Sequence, residues 1–175
     1  MRGLWSVVTA SLILAAVPLG AAHFGVKAAS AQDAALGWRP YVDERTGTRV
    51  DFPAGLFTVD AGEPERGTGR VFESADGRAT FSAYALDNEE GHTPESYLRR
   101  FLKVDPSTID YRRVTNRFFA ISGVRGGQVY YSRCNFQGRM HCIYIAYPQR
   151  ELRAWDGIVT RISLTLRAPA GLSAR

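Results

Sequence analysis

Alternating apolar and polar positions predict short β-strands along most of the chain. Two such runs, at residues 70–74 and 79–86, are separated by Asp76-Gly77, and an Asp-Gly pair between strand-like segments is a strong hairpin signal. The predicted strands are residues 48–53, 70–74, 79–86, 111–115, 118–122, 128–136 and 140–147. The segment at 62–69 has no apolar period and is predicted to be a solvated loop.

Two segments have the features of helices. Thr93-Pro94-Glu95 provides an N-cap, a proline at the first helical position and an acidic residue that favours the helix dipole, with a predicted end at Asp105-Pro106. The clearest helix lies near the carboxyl end, where apolar residues recur at steps of three and four. These are Leu152, Trp155, Val159, Ile162 and Leu166. An amphipathic helix packed on a mainly antiparallel sheet places the chain in the α+β class.

Several segments together resemble the PsbP-type fold, which many exported bacterial proteins share. They are VDFPAG at 50–55, DGR at 76–78, the strand at 81–86, TPESY at 93–97, Ser122-Gly123 and the helix at 155–166. The resemblance spans about residues 41–167 and implies an α-β-α layered domain. It also implies a protein that acts by binding other macromolecules, and it carries over no catalytic residue.

The amino terminus is typical of an export signal. One arginine precedes an uncharged run from residue 4 to 22, and Ala29-Ser30-Ala31 has the spacing that signal peptidase recognises. We expect a signal peptide at 1–31 cleaved before Gln32, with cleavage before His23 as the alternative. A flexible lead-in at 32–40, one domain at 41–167 and a tail at 168–175 would follow. The competing hypothesis is an uncleaved membrane anchor.

Cys134 and Cys142 are the two cysteines of the chain, and both are expected in an oxidising compartment, either periplasmic or secreted. Gly138 lies midway between them and the flanks are strand-like, so equal steps back from the turn place the cysteines opposite each other. A disulfide across a β-hairpin is therefore predicted. Zinc held by Cys134, His141 and Cys142 is the weaker alternative, because His141 and Cys142 would point to opposite faces of one strand.

The formal net charge of +5 falls by two, to +3, when Arg2 and Lys27 leave with the signal. This weak field and the absence of charge runs argue against nucleic acid as a partner. Arginine and tyrosine dominate protein-binding hot spots, and they are concentrated between residues 111 and 139. The candidate partner-binding face consists of Arg112, Arg113, Arg117, Arg125, Tyr131, Arg133 and Arg139. Strand alternation puts Tyr131 and Arg133 on one face of the sheet and Tyr130 with Cys134 on the other.

No catalytic, cofactor or metal signature is present in the sequence. Ser122 lacks the glycine two residues earlier that a nucleophile elbow requires and is predicted to lie in a turn. His92 and His141 are predicted to be surface or turn residues. The acidic residues lack the spacing of a calcium loop and are expected to be solvated. They are Asp60, Asp87, Glu89 and Glu90.

The resulting hypothesis is an exported, non-catalytic domain that binds a protein or another envelope component and needs no cofactor. Two alternatives remain open. One is an enzyme with a site assembled from scattered residues, which a deep polar pocket holding His92 or His141 with two carboxylates would favour. The other is an envelope protein anchored by its first helix. The oligomeric state is not indicated.

Overall fold

The computed structural model describes residues 34–101 and 106–169. The predicted signal peptide, the start of the lead-in and most of the predicted tail lie outside these residues. The strands are β1 (Trp38–Asp43), β2 (Thr48–Pro53), β3 (Val59–Gly62), β4 (Thr68–Glu73), β5 (Thr80–Leu86), β6 (Ile109–Val114), β7 (Phe118–Arg125), β8 (Gln128–Gln137) and β9 (Arg139–Pro148). The helices are α1 (Pro94–Phe101) and α2 (Leu152–Thr165), with 3-10 turns at Pro106–Thr108 and Gln149–Glu151.

Seven strands form one antiparallel sheet in the order β3-β4-β5-β9-β8-β7-β6, and β1 and β2 form a separate hairpin. Strands β6 to β9 follow one another through tight turns, so they lie side by side as a meander. The predicted α+β class and the mainly antiparallel sheet are confirmed.

The main core lies between the sheet and α2, on what we call the α2 face. Alternation along β9 turns Ile143 and Ile145 into this layer, where both are fully buried. Trp155 and Ile162 of α2 cover them, as the helical period predicted. The β1–β2 hairpin completes the layer with Phe52, which stacks on Phe81 of β5. Each of these large side chains contributes roughly 1.5–3 kcal/mol through burial.

The opposite, α1 face is thinner, and α1 covers it. Leu98 of α1 is buried against Phe119 and Ile121 of β7. Cys134 and Cys142 lie in the same cluster, joined by a disulfide across the directly opposed positions of β8 and β9, with a Cα separation of 4.1 Å. The predicted bridge is confirmed. Gly138 at the apex of the hairpin has a φ of +73°, which explains the need for glycine there.

Some boundaries differ from the sequence expectation. Strand β1 begins at Trp38, so residues 38–40 of the predicted flexible lead-in pair with β2. Strand β7 extends to Arg125 and turns at Gly126-Gly127, both with positive φ. The strand predicted at 118–122 therefore continues by three residues before a tight turn. Within the described residues, none of the helices is long and apolar enough to cross a membrane.

Candidate functional site

A groove of about 400 Å³ opens on the α2 face, where α2 runs beside the outer strands of the meander. We call it the arginine groove. Its lining residues come from β6, β7, β8 and β9 on one side and from α2 on the other. The ones used below are Tyr111, Arg113, Phe118, Ala120, Ser122, Tyr131, Arg133, Tyr147, Leu152, Asp156, Ser163 and Leu164.

Two cross-strand rows form the sheet side of the groove. In the first row, Ala120 of β7 lies between Arg113 of β6 and Arg133 of β8, because each arginine is its direct partner in the ladder. Adjacent strands are about 4.8 Å apart, so the two arginine Cα atoms are separated by roughly 10 Å. Ala120 itself is buried at the base of the groove, and the two cationic side chains lie on either side of it.

The second row repeats this arrangement with aromatic residues. Ser122 of β7 lies between Tyr111 of β6 and Tyr131 of β8. The Tyr131 hydroxyl is 2.6 Å from Ser163 Oγ on α2, and burial raises the pKa of Tyr131. The side wall near α2 is therefore fixed, whereas Tyr111 on the edge strand is exposed.

The two arginines of the groove are held in place without a neutralising carboxylate. Arg133 donates to Asn135 Oδ1 at 3.1 Å and to the Ser163 carbonyl at 3.2 Å, and its guanidinium lies 4.5 Å from the Phe118 ring centroid. Arg113 approaches the same ring at 5.5 Å. Within the described residues, neither arginine takes part in an ion pair.

Burial disfavours the charged form of Arg133. Its side chain is half-buried, and the loss of solvation lowers the pKa of the guanidinium. Arginine stays charged at any physiological pH, so the charge is retained at an energetic cost that a bound anion would reduce. The arrangement can therefore receive an anionic group.

The rim of the groove is apolar. Of the five large hydrophobic side chains exposed in the described chain, three line this groove: Tyr111, Leu152 and Leu164, at 46%, 51% and 61% exposure. The α2 side of the groove also carries Asp156. Burial raises the pKa of Tyr147, and the nearby Asp156 carboxylate adds to this effect. Exposed apolar residues around a polar depression are typical of interaction sites.

The predicted partner-binding residues are only partly brought together. Arg113, Tyr131 and Arg133 line the groove. Arg112 points to the α1 face and donates to both oxygens of Glu95, at 2.8 and 2.6 Å.

The remaining predicted arginines lie at the ends of strands. Arg117 is exposed in the turn between β6 and β7, and Arg125 is exposed where β7 turns into β8. Arg139, just after the β8–β9 turn, pairs with Asp87 at 3.0 Å. The continuous seven-residue face is therefore replaced by a smaller groove on one face of the sheet.

Sequence reasoning missed Phe118, Ala120, Asp156 and Ser163 as groove residues. The alternation within β7 was a usable signal for Phe118 and Ala120, because the even-numbered residues of that strand share a face. Nothing local indicated Asp156 or Ser163, which depend on where α2 crosses the sheet.

Ser122 and the two histidines differ from expectation. Ser122 lies within β7, not in a turn, and donates to the Tyr130 carbonyl at 2.8 Å. His141 is buried in β9, where its Nδ1 lies 2.8 Å from Thr48 Oγ1. Burial, and then the charge of Arg139, lower the pKa of His141. Since the cysteines are bonded to each other and His141 faces Thr48, the three residues do not form the zinc site considered above.

A second cavity, of about 370 Å³, lies at the β5 end of the α1 face. We call it the His92 pocket. Its acidic lining residues are Asp87, Glu89 and Glu90. His92 Nε2 lies 3.1 Å from a Glu90 carboxylate oxygen, without the alignment of a hydrogen bond. The Asn88 side chain makes two hydrogen bonds with the backbone of His92. Its Nδ2 donates to the His92 carbonyl, and its Oδ1 accepts from the His92 N–H. His92 is mostly buried, contrary to the predicted surface position.

The fold and groove together define a class: a PsbP-like α+β domain whose α2 face carries an open, cationic groove. Among solved structures, the chain is similar to the solution structure of cyanobacterial PsbP (CyanoP) from Synechocystis sp. PCC 6803. The TM-score is 0.58 at 10% sequence identity, and the match covers 75% of this chain and 92% of that chain. The PsbP-like fold expected from the sequence is confirmed. No model of a known protein family and no curated protein matches the sequence.

Proposed function

We propose that this protein is an exported binding domain of the cell envelope that holds a partner in the arginine groove. The observation that carries the proposal is the pair Arg113 and Arg133, which face one depression without a carboxylate partner in the described part of the chain. Arginines elsewhere on the predicted face, Arg112 and Arg139, are already neutralised by acidic neighbours. Arg133 is half-buried and Arg113 is exposed. A partly desolvated charge without an ionic partner, such as that of Arg133, is expected where a ligand supplies the missing charge.

Export is supported by the signal-like amino terminus and the buried disulfide, since such bonds persist in oxidising compartments. Amino-terminal sequencing of protein recovered from the envelope or medium tests this part. A chain that starts at Gln32 or His23 would agree with it. An intact Met1 in membrane-bound material would favour the anchored alternative.

The partner-binding part is tested by affinity capture from an envelope fraction with wild type, Arg113→Glu and Arg112→Glu. These variants make the same charge change at adjacent positions of β6, on opposite faces of the sheet. We expect Arg113→Glu to lose partners that Arg112→Glu retains. Identical partners for all three proteins would remove the groove from the proposal.

Acid–base catalysis in the His92 pocket is the second candidate function, because this pocket holds a histidine close to a carboxylate, the arrangement that would favour an enzyme. The acidic neighbours are largely engaged, Asp87 with Arg139 and Glu90 with His92 and Arg100. A screen with generic ester, phosphoester and glycoside substrates tests it, with His92→Gln as the control. Turnover lost in this variant would favour the enzyme, and turnover unaffected by it would exclude this pocket as the source.

A further inference from the structure

The repeated rows of the arginine groove restrict the shape of what can bind there. Arg113 and Arg133 flank Ala120, and the next row places tyrosines on either side of Ser122. Ala120 and Ser122 of β7 are small, whereas Phe118 of the same strand and the flanking residues of β6 and β8 are large. The guanidiniums of Arg113 and Arg133 both lie near the Phe118 ring, so a narrow group that enters beside this ring reaches both, whereas a broad flat surface meets the side chains of β6 and α2 first.

The available donors indicate a compact anion. Arg133 uses its Nε for Asn135 and Nη1 for Ser163, and no hydrogen bond from its Nη2 to another described residue is present. Arg113 is engaged only with the Phe118 ring in the described structure. Guanidinium groups bind carboxylate and phosphate through pairs of parallel N–H donors. Arg113 keeps such a pair, whereas Arg133 keeps only its Nη2 donors, which can contact one oxygen of the same ligand.

The apolar rim distinguishes a protein carboxylate from a phosphate group as the bound anion. Leu164 follows Ser163, which accepts a hydrogen bond from Arg133, and its side chain is exposed. An occupant that also buries Leu164 needs an apolar group beside its charge. Leu152 lies about 18 Å away, at the other end of α2. A protein segment with an acidic side chain between apolar ones has this pattern. A free phosphate ion lacks the apolar groups, and a bilayer surface cannot enter the depression.

We propose that the groove seats a side-chain carboxylate of a partner protein between Arg113 and Arg133, beside the Phe118 ring, with a neighbouring apolar residue of the partner on Leu164. This inference rests on the proposed function and specifies the chemistry of the bound segment. The carboxylate replaces the lost solvation of Arg133, and the apolar contact with Leu164 excludes water on that side.

The test is a nuclear magnetic resonance titration of the isotope-labelled protein with a capped pentapeptide of glycine, leucine, glutamate, leucine and glycine. A counterpart carries glutamine in place of glutamate. We expect saturable shifts at the Ala120 and Ser122 amides with the glutamate peptide, and about tenfold weaker binding of the glutamine peptide. Arg113→Gln should weaken binding of the glutamate peptide by a similar factor. Arg113→Lys should restore part of this affinity, and Arg125→Gln should leave the affinity unchanged.

Three outcomes would overturn the inference. The first is no binding, or equal binding of the two peptides. The second is inorganic phosphate that binds the same residues more tightly than the glutamate peptide. The third is Arg113-dependent sedimentation with phosphatidylglycerol vesicles. If any of these occurred while envelope partners still depended on Arg113, only the carboxylate inference would fail. If envelope capture were independent of Arg113, the proposed function itself would fail.

Discussion

The arginine groove and the His92 pocket are nearly equal in size but differ in how their charges are balanced. In the His92 pocket, Asp87 pairs with Arg139, and Glu90 lies near both His92 and Arg100. In the arginine groove, Arg113 and Arg133 have no carboxylate partner among the described residues. The comparison teaches that volume alone does not mark a binding site. An unbalanced charge, partly desolvated and rimmed by apolar side chains, is the more specific signal.

The largest expected effect is on stability. It concerns the disulfide on the α1 face, the side of the sheet that also carries the His92 pocket. Replacing both cysteines, Cys134→Ala with Cys142→Ala, should lower the free energy of unfolding by about 2–3 kcal/mol, because the short loop is no longer closed in the unfolded chain. Urea denaturation measures this, and reduction of the wild type should give a similar loss. The folded double variant should still bind the glutamate peptide, since the bridge lies on the α1 face. A variant as stable as wild type would show that the bridge adds nothing.

The second prediction contrasts adjacent arginines on opposite faces. Arg113→Gln should weaken glutamate-peptide binding about tenfold, the cost of one charged hydrogen-bonding partner, while changing stability by no more than about 0.5 kcal/mol. Arg112→Gln removes the exposed contact with Glu95 and should leave binding unchanged. Titration and urea denaturation on the same samples give both quantities. Equal losses of binding in the two variants would mean that general surface charge, and not the groove, attracts the ligand.

The third prediction concerns the buried His141, which lies under the β1–β2 hairpin. Burial lowers the pKa of His141 in the folded protein. The unfolded chain therefore takes up a proton first as the pH falls. The free energy of unfolding is highest above the unfolded pKa of about 6.5 and decreases below that pH. Stability should therefore decrease between pH 7 and 5.5, by up to about 1 kcal/mol. His141→Gln should show a flatter profile in urea denaturation. The charged neighbour is Arg139, and Thr48 connects His141 through Thr46 to Asp43. If His141→Gln kept the same dependence of stability on pH as the wild type, a group other than His141 would be responsible for it.

The smallest effect tests whether the pocket charges matter energetically. Glu90→Gln removes an exposed partner of His92 and Arg100 and should cost no more than about 1 kcal/mol, because solvent screens such pairs. Peptide binding in the groove should be unaffected. A larger destabilisation in thermal or urea unfolding would show that the His92 pocket is a structural unit in its own right and would weaken the contrast drawn above.

The sequence was sufficient for features that depend on local periodicity. Alternation correctly separated Tyr131 and Arg133 from Tyr130 and Cys134, and the helical spacing of Trp155, Val159 and Ile162 identified the buried side of α2. The opposed cysteines followed from counting back from Gly138. Each of these predictions needed only one strand pair or one helix.

The features that the sequence did not provide depend on longer-range geometry. The row Arg113, Ala120 and Arg133 requires the registers of two hairpins at once, and a shift of one residue in either would turn an arginine to the other face. Asp156 and Ser163 enter the groove only because α2 crosses the sheet beside β8. His141 could have been anticipated, since it shares the inward alternation of Ile143 and Ile145. Its polar character suggested the surface, but Thr48 provides a hydrogen bond that makes burial tolerable.

The most direct measurement of the central claim is site-specific photo-cross-linking in cells that express the full chain. A benzophenone side chain would replace Leu164 on the groove rim or, as the matched control, the exposed Val42 of β1. We predict a discrete cross-linked product from position 164 that disappears when Arg113→Glu is added, and no such product from position 42. The same product from both positions, or one from position 164 that persists with Arg113→Glu, would contradict a partner-binding arginine groove.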